Sequence, residues 1–502
     1  MKILSAQQIR EADKYTIEHE PISSLDLMER AAIACFRWII TRFPKKENKI
    51  LVFAGNGNNG GDGLVIARLL HNTGYTVKIV LCSVASENAK DFESQLKRIN
   101  QENIEIESWK PFDTPHYSPH LLIDALLGTG LNRPAKGDIA QIIKQINAYK
   151  TNVVAVDIPS GLFADDNSNN DGEIVRSSIT LTFQSPKYSF FFSENQQYVG
   201  NFYILDIALH ANYFKQVETL KYFITSAFIK QNLLNRTLFQ HKGNFGHACI
   251  ITGSKGKMGA AVLATKACIS SGAALTTSVI PEVGNIILQS AVTEAMCITS
   301  GNEYIETIPN QVYEYSAIGV GPGIGNNTET QHMLKLIIQQ YKGPLLLDAD
   351  AINILSENKT WISFLPENTI LTPHPKEFER LTGKSNSAYE RHLKQIDFSI
   401  KHRVIVVLKG AYTSVSLPNG NVYFNSTGNA GMAKGGSGDV LTGLITGLMA
   451  RGYMPQQAAI LGVYIHGLAG DYAAKEYQTE SMTAGNIITC FSKAFNEIYS
   501  EH

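Results

Sequence analysis

The spacing of apolar and polar positions changes repeatedly along the chain. Ser5 with Gln8 three residues on forms a capping-box pattern that opens a helix. In a second helix, Met28, Ala32, Cys35 and Ile39 fall on one face. Short β-branched runs at 49–53, 77–81, 121–124 and 153–157 then predict strands, with helical stretches near 61–73, 86–100 and 138–149 between them. Two further strands are expected near 179–184 and 202–207. The segment 210–235 reads as a junction, after which the alternation restarts with strands at 248–251, 317–320, 345–348, 369–371 and 404–408. From Gly438 to Ser500 the pattern is almost wholly helical. Strands alternating with helices imply parallel βαβ units and sheets covered on both faces. The expectation is two α/β domains in series, 1–215 and 225–502, each of three layers.

Composition bounds the rest. A chain of 502 residues exceeds a single core, given roughly 100 to 200 residues per domain. Its 44% hydrophobic and 18% charged residues are those of a globular protein, and a net charge of −1 leaves no electrostatic footprint for nucleic acid or an anionic membrane. The six cysteines are scattered without a C-x-x-C pair, so they read as reduced core thiols rather than zinc ligands. The first residues lack an apolar signal-peptide core, and no window reaches the roughly 18 to 20 apolar residues of a membrane helix. A soluble, cytoplasmic protein is expected.

Candidate chemistry sits at two glycine-rich turns. Gly55-Asn56-Gly57-Asn58-Asn59-Gly60-Gly61-Asp62-Gly63 leaves a strand and opens a helix, where free N–H groups favour a phosphate. The second strand ends in Leu81-Cys82-Ser83, without the acidic residue that a dinucleotide-binding dehydrogenase places on the ribose. Asp124, followed by Gly128-Thr129-Gly130-Leu131-Asn132-Arg133-Pro134, and Asp157-Ile158-Pro159-Ser160 end two more strands at the same sheet edge. Singly, the aspartates read as turn caps; together with Asn59 and Ser160 they offer only oxygens, a set suited to a hard cation.

The second turn, Asn429-Ala430-Gly431-Met432-Ala433-Lys434-Gly435-Gly436-Ser437-Gly438-Asp439, enters a helix. A nest of N–H donors there suits a transferring phosphoryl group, with Asp439 placed to take a proton from a substrate hydroxyl. An N-cap aspartate after a flexible loop is the structural alternative. Gly253-Ser254-Lys255-Gly256-Lys257-Met258-Gly259 is not a Walker loop, because Met258 stands where the hydroxyl is required.

These motifs carry a resemblance. Residues 1–215, through 58–63, Asp124–Leu131 and Val156–Gly161, resemble the NAD(P)H-hydrate epimerases. Residues 225–500 are similar to the ADP/ATP-dependent NAD(P)H-hydrate dehydratases, through Gly259–Ala264, Val320–Gly325, Leu347–Asn353, Leu371–Glu377, Lys409–Thr413 and Gly436–Asp439. The resemblance implies a Rossmann-like domain followed by a ribokinase-like domain. It implies potassium held by Asn59, Asp124 and Ser160, and hydrated dinucleotide held by Asn58, Asn59, Gly60, Gly61, Asp62, the segment Gly128, Thr129, Gly130, Leu131, Asn132, Arg133 and Pro134, and Asp157 as acid–base residue. In the second domain it implies Ala260, Gly323, His374 and Asp439 on the hydrate, and Lys409, Gly410, Ala411, Tyr412, Thr413 and Gly438 on ADP or ATP with Mg2+; Asp439 is the base. Lys136-Gly137-Asp138 is a further match to a lysine that some family members use. The substrates would be NADHX and NADPHX, ADP being usual in fused bacterial-type members, and the chain would form a homo-oligomer. Two rivals stand beside this: a ribokinase-type small-molecule kinase with an accessory dinucleotide-binding domain, and a first domain that is a non-catalytic nucleotide sensor.

Overall fold

The computed structural model describes residues 1–111 and 117–500. The chain forms two compact units, one of Lys2–Thr219 with Ser387–Tyr389, the other of Met1, Leu220–Asn386 and Glu390–His502.

The first unit is built on seven parallel strands: β1 (Lys49–Gly55), β2 (Thr76–Cys82), β3 (Glu105–Ser108), β4 (Leu121–Ala125), β5 (Asn152–Val156), β6 (Ile179–Phe183) and β7 (Asn201–Leu205). Their spatial order is β3-β2-β1-β4-β5-β6-β7. The chain runs outward from β1 to β3, returns to the other side of β1 and runs outward again. That leaves a crevice between the C-terminal ends of β1 and β4, where open α/β sheets bind ligands. Side chains along β1 alternate between two cores: Ile50, Val52 and Ala54 face one layer of helices, Leu51 and Phe53 the other. The near-continuous apolar run of this strand is the signature of a sheet buried on both faces. The capping box of Ser5 and Gln8 opens the helix Ala6–His19, and Met28, Ala32, Cys35 and Ile39 are buried in the helix Ser24–Arg42.

Ten strands make the second sheet: β8 (Lys221–Phe223), β9 (His247–Ile251), β10 (Leu275–Ile280), β11 (Met296–Thr299), β12 (Ala317–Val320), β13 (Leu345–Leu347), β14 (Ile370–Leu371), β15 (Ile405–Leu408), β16 (Ser414–Ser416) and β17 (Val422–Phe424). The order is β11-β10-β9-β12-β13-β14-β15-β16-β17-β8. All neighbours are parallel except around β16, which runs against both β15 and β17. β8, from the segment between the two expected domains, pairs with β17. Here too a strand inside the sheet, β9, alternates, Ala248 and Ile250 to one core, Cys249 and Ile251 to the other. The helix Ser437–Ala450 packs on the helix Met258–Ser270 at backbone distance: a Cβ on Gly443 would lie 2.0 Å from the Ala264 carbonyl oxygen. After β17 the described chain is helical apart from short turns.

Candidate functional site

The first site assembles at the crevice beside β1. The helix Asn58–Asn72 starts with Gly57 as N-cap and no capping side chain, so its first N–H groups are available to a ligand. Gly60 is fixed by close approach, because a Cβ there would sit 1.7 Å from the Gly55 carbonyl oxygen. Asn56 Oδ1 accepts from the N–H groups of Val84 and Ala85 at 3.0 and 2.9 Å, which ties the loop after β2 to the loop after β1.

A cavity of about 680 Å³ opens there, lined by Asn58, Asn59, Asp62, Gly128, Thr129, Gly130, Leu131, Asn132, Arg133 and Asp157 among others. These were expected from sequence, and the fold brings them together. Gly60, Gly61 and Pro134 are not part of that lining. Gly61 instead packs toward Met28, whose thioether would lie 2.7 Å from an added Cβ.

Beside the cavity lies a cluster of oxygens. Asp124, fully buried at the end of β4, accepts from Ser160 Oγ at 2.6 Å and from the Ser160 N–H at 2.8 Å. The Leu127 carbonyl accepts from Asn59 Nδ2 at 2.9 Å, and the Leu127 N–H donates to Ser160 Oγ at 2.8 Å. Asn59 Oδ1 is buried without a hydrogen-bond partner. Burial pushes the Asp124 carboxyl up to about 6, against the hydrogen bonds from Ser160. An orphaned amide oxygen beside one carboxylate and a hydroxyl is a donor set that fits a weakly charged oxygen-seeking cation.

Asp157 follows β5 with a left-handed backbone, φ 66°. Its Oδ1 accepts from Lys187 Nζ at 2.7 Å and from the Phe183 N–H at 3.1 Å. Lys187 is completely buried and was not anticipated from sequence. Lys136, which was, forms an exposed ion pair with Asp171 at 2.9 Å and is absent from the cavity lining.

The second site forms where β12, β13, β14 and β15 end. Gly436, φ 91°, is the N-cap of the helix Ser437–Ala450 and carries no side chain to satisfy its N–H groups. Asp439 lies in the first turn, where burial and then the charge of Asp348 push its carboxyl up to about 6, with Lys409 opposing. Asp348, at the end of β13, receives Lys409 Nζ at 2.9 Å and Thr442 Oγ1 at 2.7 Å. Gly438 stands over this pair: a Cβ there would be 3.3 Å from Lys409 Nζ. Gly410 and Thr413 close the turn between β15 and β16, the Gly410 N–H donating to Thr413 Oγ1 at 3.2 Å. Ala260 and Gly323 are adjacent, since a Cβ on Gly323 would be 3.2 Å from that of Ala260. His374 caps the helix Pro375–Thr382, its Nδ1 accepting from the N–H groups of Lys376 and Glu377. That bond fixes the remaining ring proton on Nε2, and burial holds the imidazole below its ordinary pKa. Met258 is buried in a small apolar core, as expected of a residue outside any phosphate loop.

Comparison with known proteins decides between the readings. Residues 248–493 match the family model described as NAD(P)H-hydrate dehydratase, and 24–189 match that of the YjeF-related protein N-terminus. A bifunctional NAD(P)H-hydrate repair enzyme of Moorella thermoacetica is 31% identical over 506 residues, covering 97% of this chain and 95% of its own. The chain belongs to the bifunctional NAD(P)H-hydrate repair enzymes. A second member of that family, from Coxiella burnetii, is 32% identical over 475 residues, 94% of each chain. A ribokinase-like superfamily protein from Enterococcus faecalis superposes on 56% of this repair enzyme and 98% of its own length, with TM-score 0.50 and 27% identity. The first domain of the repair enzyme is therefore an epimerase and the second a ribokinase-like dehydratase. The ribokinase-type small-molecule kinase with an accessory dinucleotide-binding domain is not favoured, because the family match runs through both halves.

Proposed function

We propose that the two sites above carry the two activities residue by residue: the cavity beside β1 interconverts the R and S forms of NADHX and NADPHX, and the helix start at Gly436 dehydrates the S form at the expense of ADP. The observation that carries the second half is Asp439, ionisable and partly buried, at a bare helix start beside the Asp348–Lys409 pair.

Hydration places a hydroxyl on C6 of the nicotinamide ring, and hydroxide leaves poorly. Asp439 takes the hydroxyl proton as the oxygen attacks the terminal phosphoryl of ADP, and AMP departs. The nitrogen lone pair then expels phosphate from C6, and loss of a proton from C5 returns the ring double bond. N–H groups at 435–438 and the ammonium of Lys409 stabilise the charge on the transferred group. Magnesium bound on the phosphates would need only one or two protein carboxylates, and Asp348, at the end of β13, is the candidate at hand. Lys409–Thr413 and Gly438 hold the nucleotide; Ala260, Gly323 and the Nε2 side of His374 face the hydrate.

In the first domain, Asn59, Asp124 and Ser160 hold potassium, which supplies a fixed positive charge near the substrate. Asp157 serves as its acid–base residue, and 128–134 with 58–62 cradle the dinucleotide. We place the enzyme in the cytoplasm as a homo-oligomer, in which a second copy covers Leu238 and Phe239, each more than nine-tenths exposed. Among the described residues no helix is long and apolar enough to cross a membrane.

The test is Asp439→Asn in the full chain. ADP-dependent conversion of S-NADPHX should fall by about 100-fold or more while R-to-S conversion persists. Unchanged dehydration would refute the assignment.

A further inference from the structure

The epimerase cavity holds more acid–base groups than Asp157 alone. Asp13 reaches it from the helix Ala6–His19, Asp62 from the helix Asn58–Asn72, and Asp157 from the end of β5. Lys187 lies beneath Asp157, and Arg10, Asp91 and Arg133 complete the charged groups facing the space. Among the described residues Asp13 has no hydrogen-bond or ion-pair partner; only burial and the charges of Asp157 and Lys187 act on it.

The chemistry demands two proton-handling groups. C6 of the hydrate bears both the hydroxyl and the ring nitrogen. Inverting C6 means breaking its bond to oxygen and remaking it from the other face. The nitrogen lone pair expels that oxygen readily only as water, so a proton must be delivered to the hydroxyl. The water that returns must lose one.

We propose that Asp13 and Asp157 form the acid–base pair of the epimerase, Asp13 protonating the departing hydroxyl and Asp157, pinned by Lys187, taking the proton from the returning water. The proposal rests on Asp157 being the acid–base residue of this site. As the C6–O bond breaks, the nitrogen lone pair becomes the second C6–N bond and water is released. Water adding to the opposite face returns that pair to nitrogen. One proton passes from Asp13 to Asp157, and solvent exchange or turnover in the reverse direction restores the pair. Burial first, and the Asp157 charge second, hold the Asp13 carboxyl up to about 7, so a substantial fraction of it carries a proton at neutral pH. Burial first, and then the charges of Asp157 and Asp13, also push the Asp62 carboxyl upward.

The experiment starts from R-NADPHX with potassium and no ADP, and resolves formation of the S form by chromatography across about two pH units on either side of neutrality. Asp13→Asn should lower kcat by about 100-fold or more with KM within a few-fold. In the wild type the rate falls as pH rises through about 7, and that limb should vanish in Asp13→Asn. Should that variant fail to bind the hydrate, Asp13→Glu decides: its limb must move, and an unmoved limb overturns the proposal. Asp13→Asn within about threefold of wild type also overturns it. Full activity in Asp157→Asn would overturn both the pair and the reading beneath it. Loss in Asp157→Asn with full activity in Asp13→Asn would overturn the pair alone.

Discussion

Lys187 is fully enclosed, and its ammonium meets Asp157 Oδ1 at 2.7 Å. Replacing it with methionine leaves Asp157 without its cation in a low-dielectric pocket. Urea denaturation should show the first domain destabilised by about 3–5 kcal/mol, the usual cost of removing one partner of a buried pair. Epimerisation should fall with it, while ADP-dependent dehydration of the S form continues. Asp439 supplies a pH prediction. Its carboxyl sits at about 6 and must be ionised to accept the hydroxyl proton, so the dehydration rate should drop as pH falls through about 6 and level off above about 7. A rate that rises toward acid would exclude Asp439 as the base. Asp124, Asp157, Ser160 and Asp439 are legible in the sequence because each stands where a strand or glycine turn ends. Lys187 is not, because it lies 30 residues from its partner in a stretch with no motif. His374 shows another limit: a helix-capping imidazole and a ligand contact use the same residue, and only the backbone geometry reveals the cap.

At the scale of elements, the glycine turns divide into those that pack and those that face open space. Gly60→Ala would drive a methyl group into the Gly55 carbonyl, 1.7 Å away. Because that neighbour is backbone, the loss should be at least about 3 kcal/mol, the upper end of ordinary overpacking. Gly57→Ala, with nothing within 4 Å of the added Cβ, should cost less than about 1 kcal/mol, and paired denaturation curves measure the difference. The apolar central strands of both sheets are legible from their run of β-branched residues. β10 escaped the same reading because its middle is Thr276-Thr277-Ser278, which looks like a loop. In the fold these hydroxyls are buried, with Ser278 and Thr265 sharing a hydrogen bond of 2.7 Å and Thr277 meeting His247 Nε2 at 2.7 Å. β3 was hidden by its charges, Glu105 and Glu107, which suit the edge it occupies. β16 and β17 are three residues each, too short to show a period.

For the whole molecule, two doubly wound sheets in series explain how one chain performs two reactions on one damaged cofactor. Each sheet gathers its candidate site residues at the C-terminal ends of its parallel strands. Strand–helix alternation stops and restarts around 210–235, and the first compact unit gives way to the second at Leu220 within that segment. What the pattern could not show was that β8, within that segment, pairs into the second sheet, since three residues carry no signature of their partner. The most direct measurement is recovery of reduced-nicotinamide absorbance after adding the chain to a mixture of both NADPHX epimers with ADP, magnesium and potassium. Complete, ADP-dependent recovery is expected, stopping near the fraction of the S form in an Asp157→Ala variant. No recovery with either ADP or ATP would contradict the account.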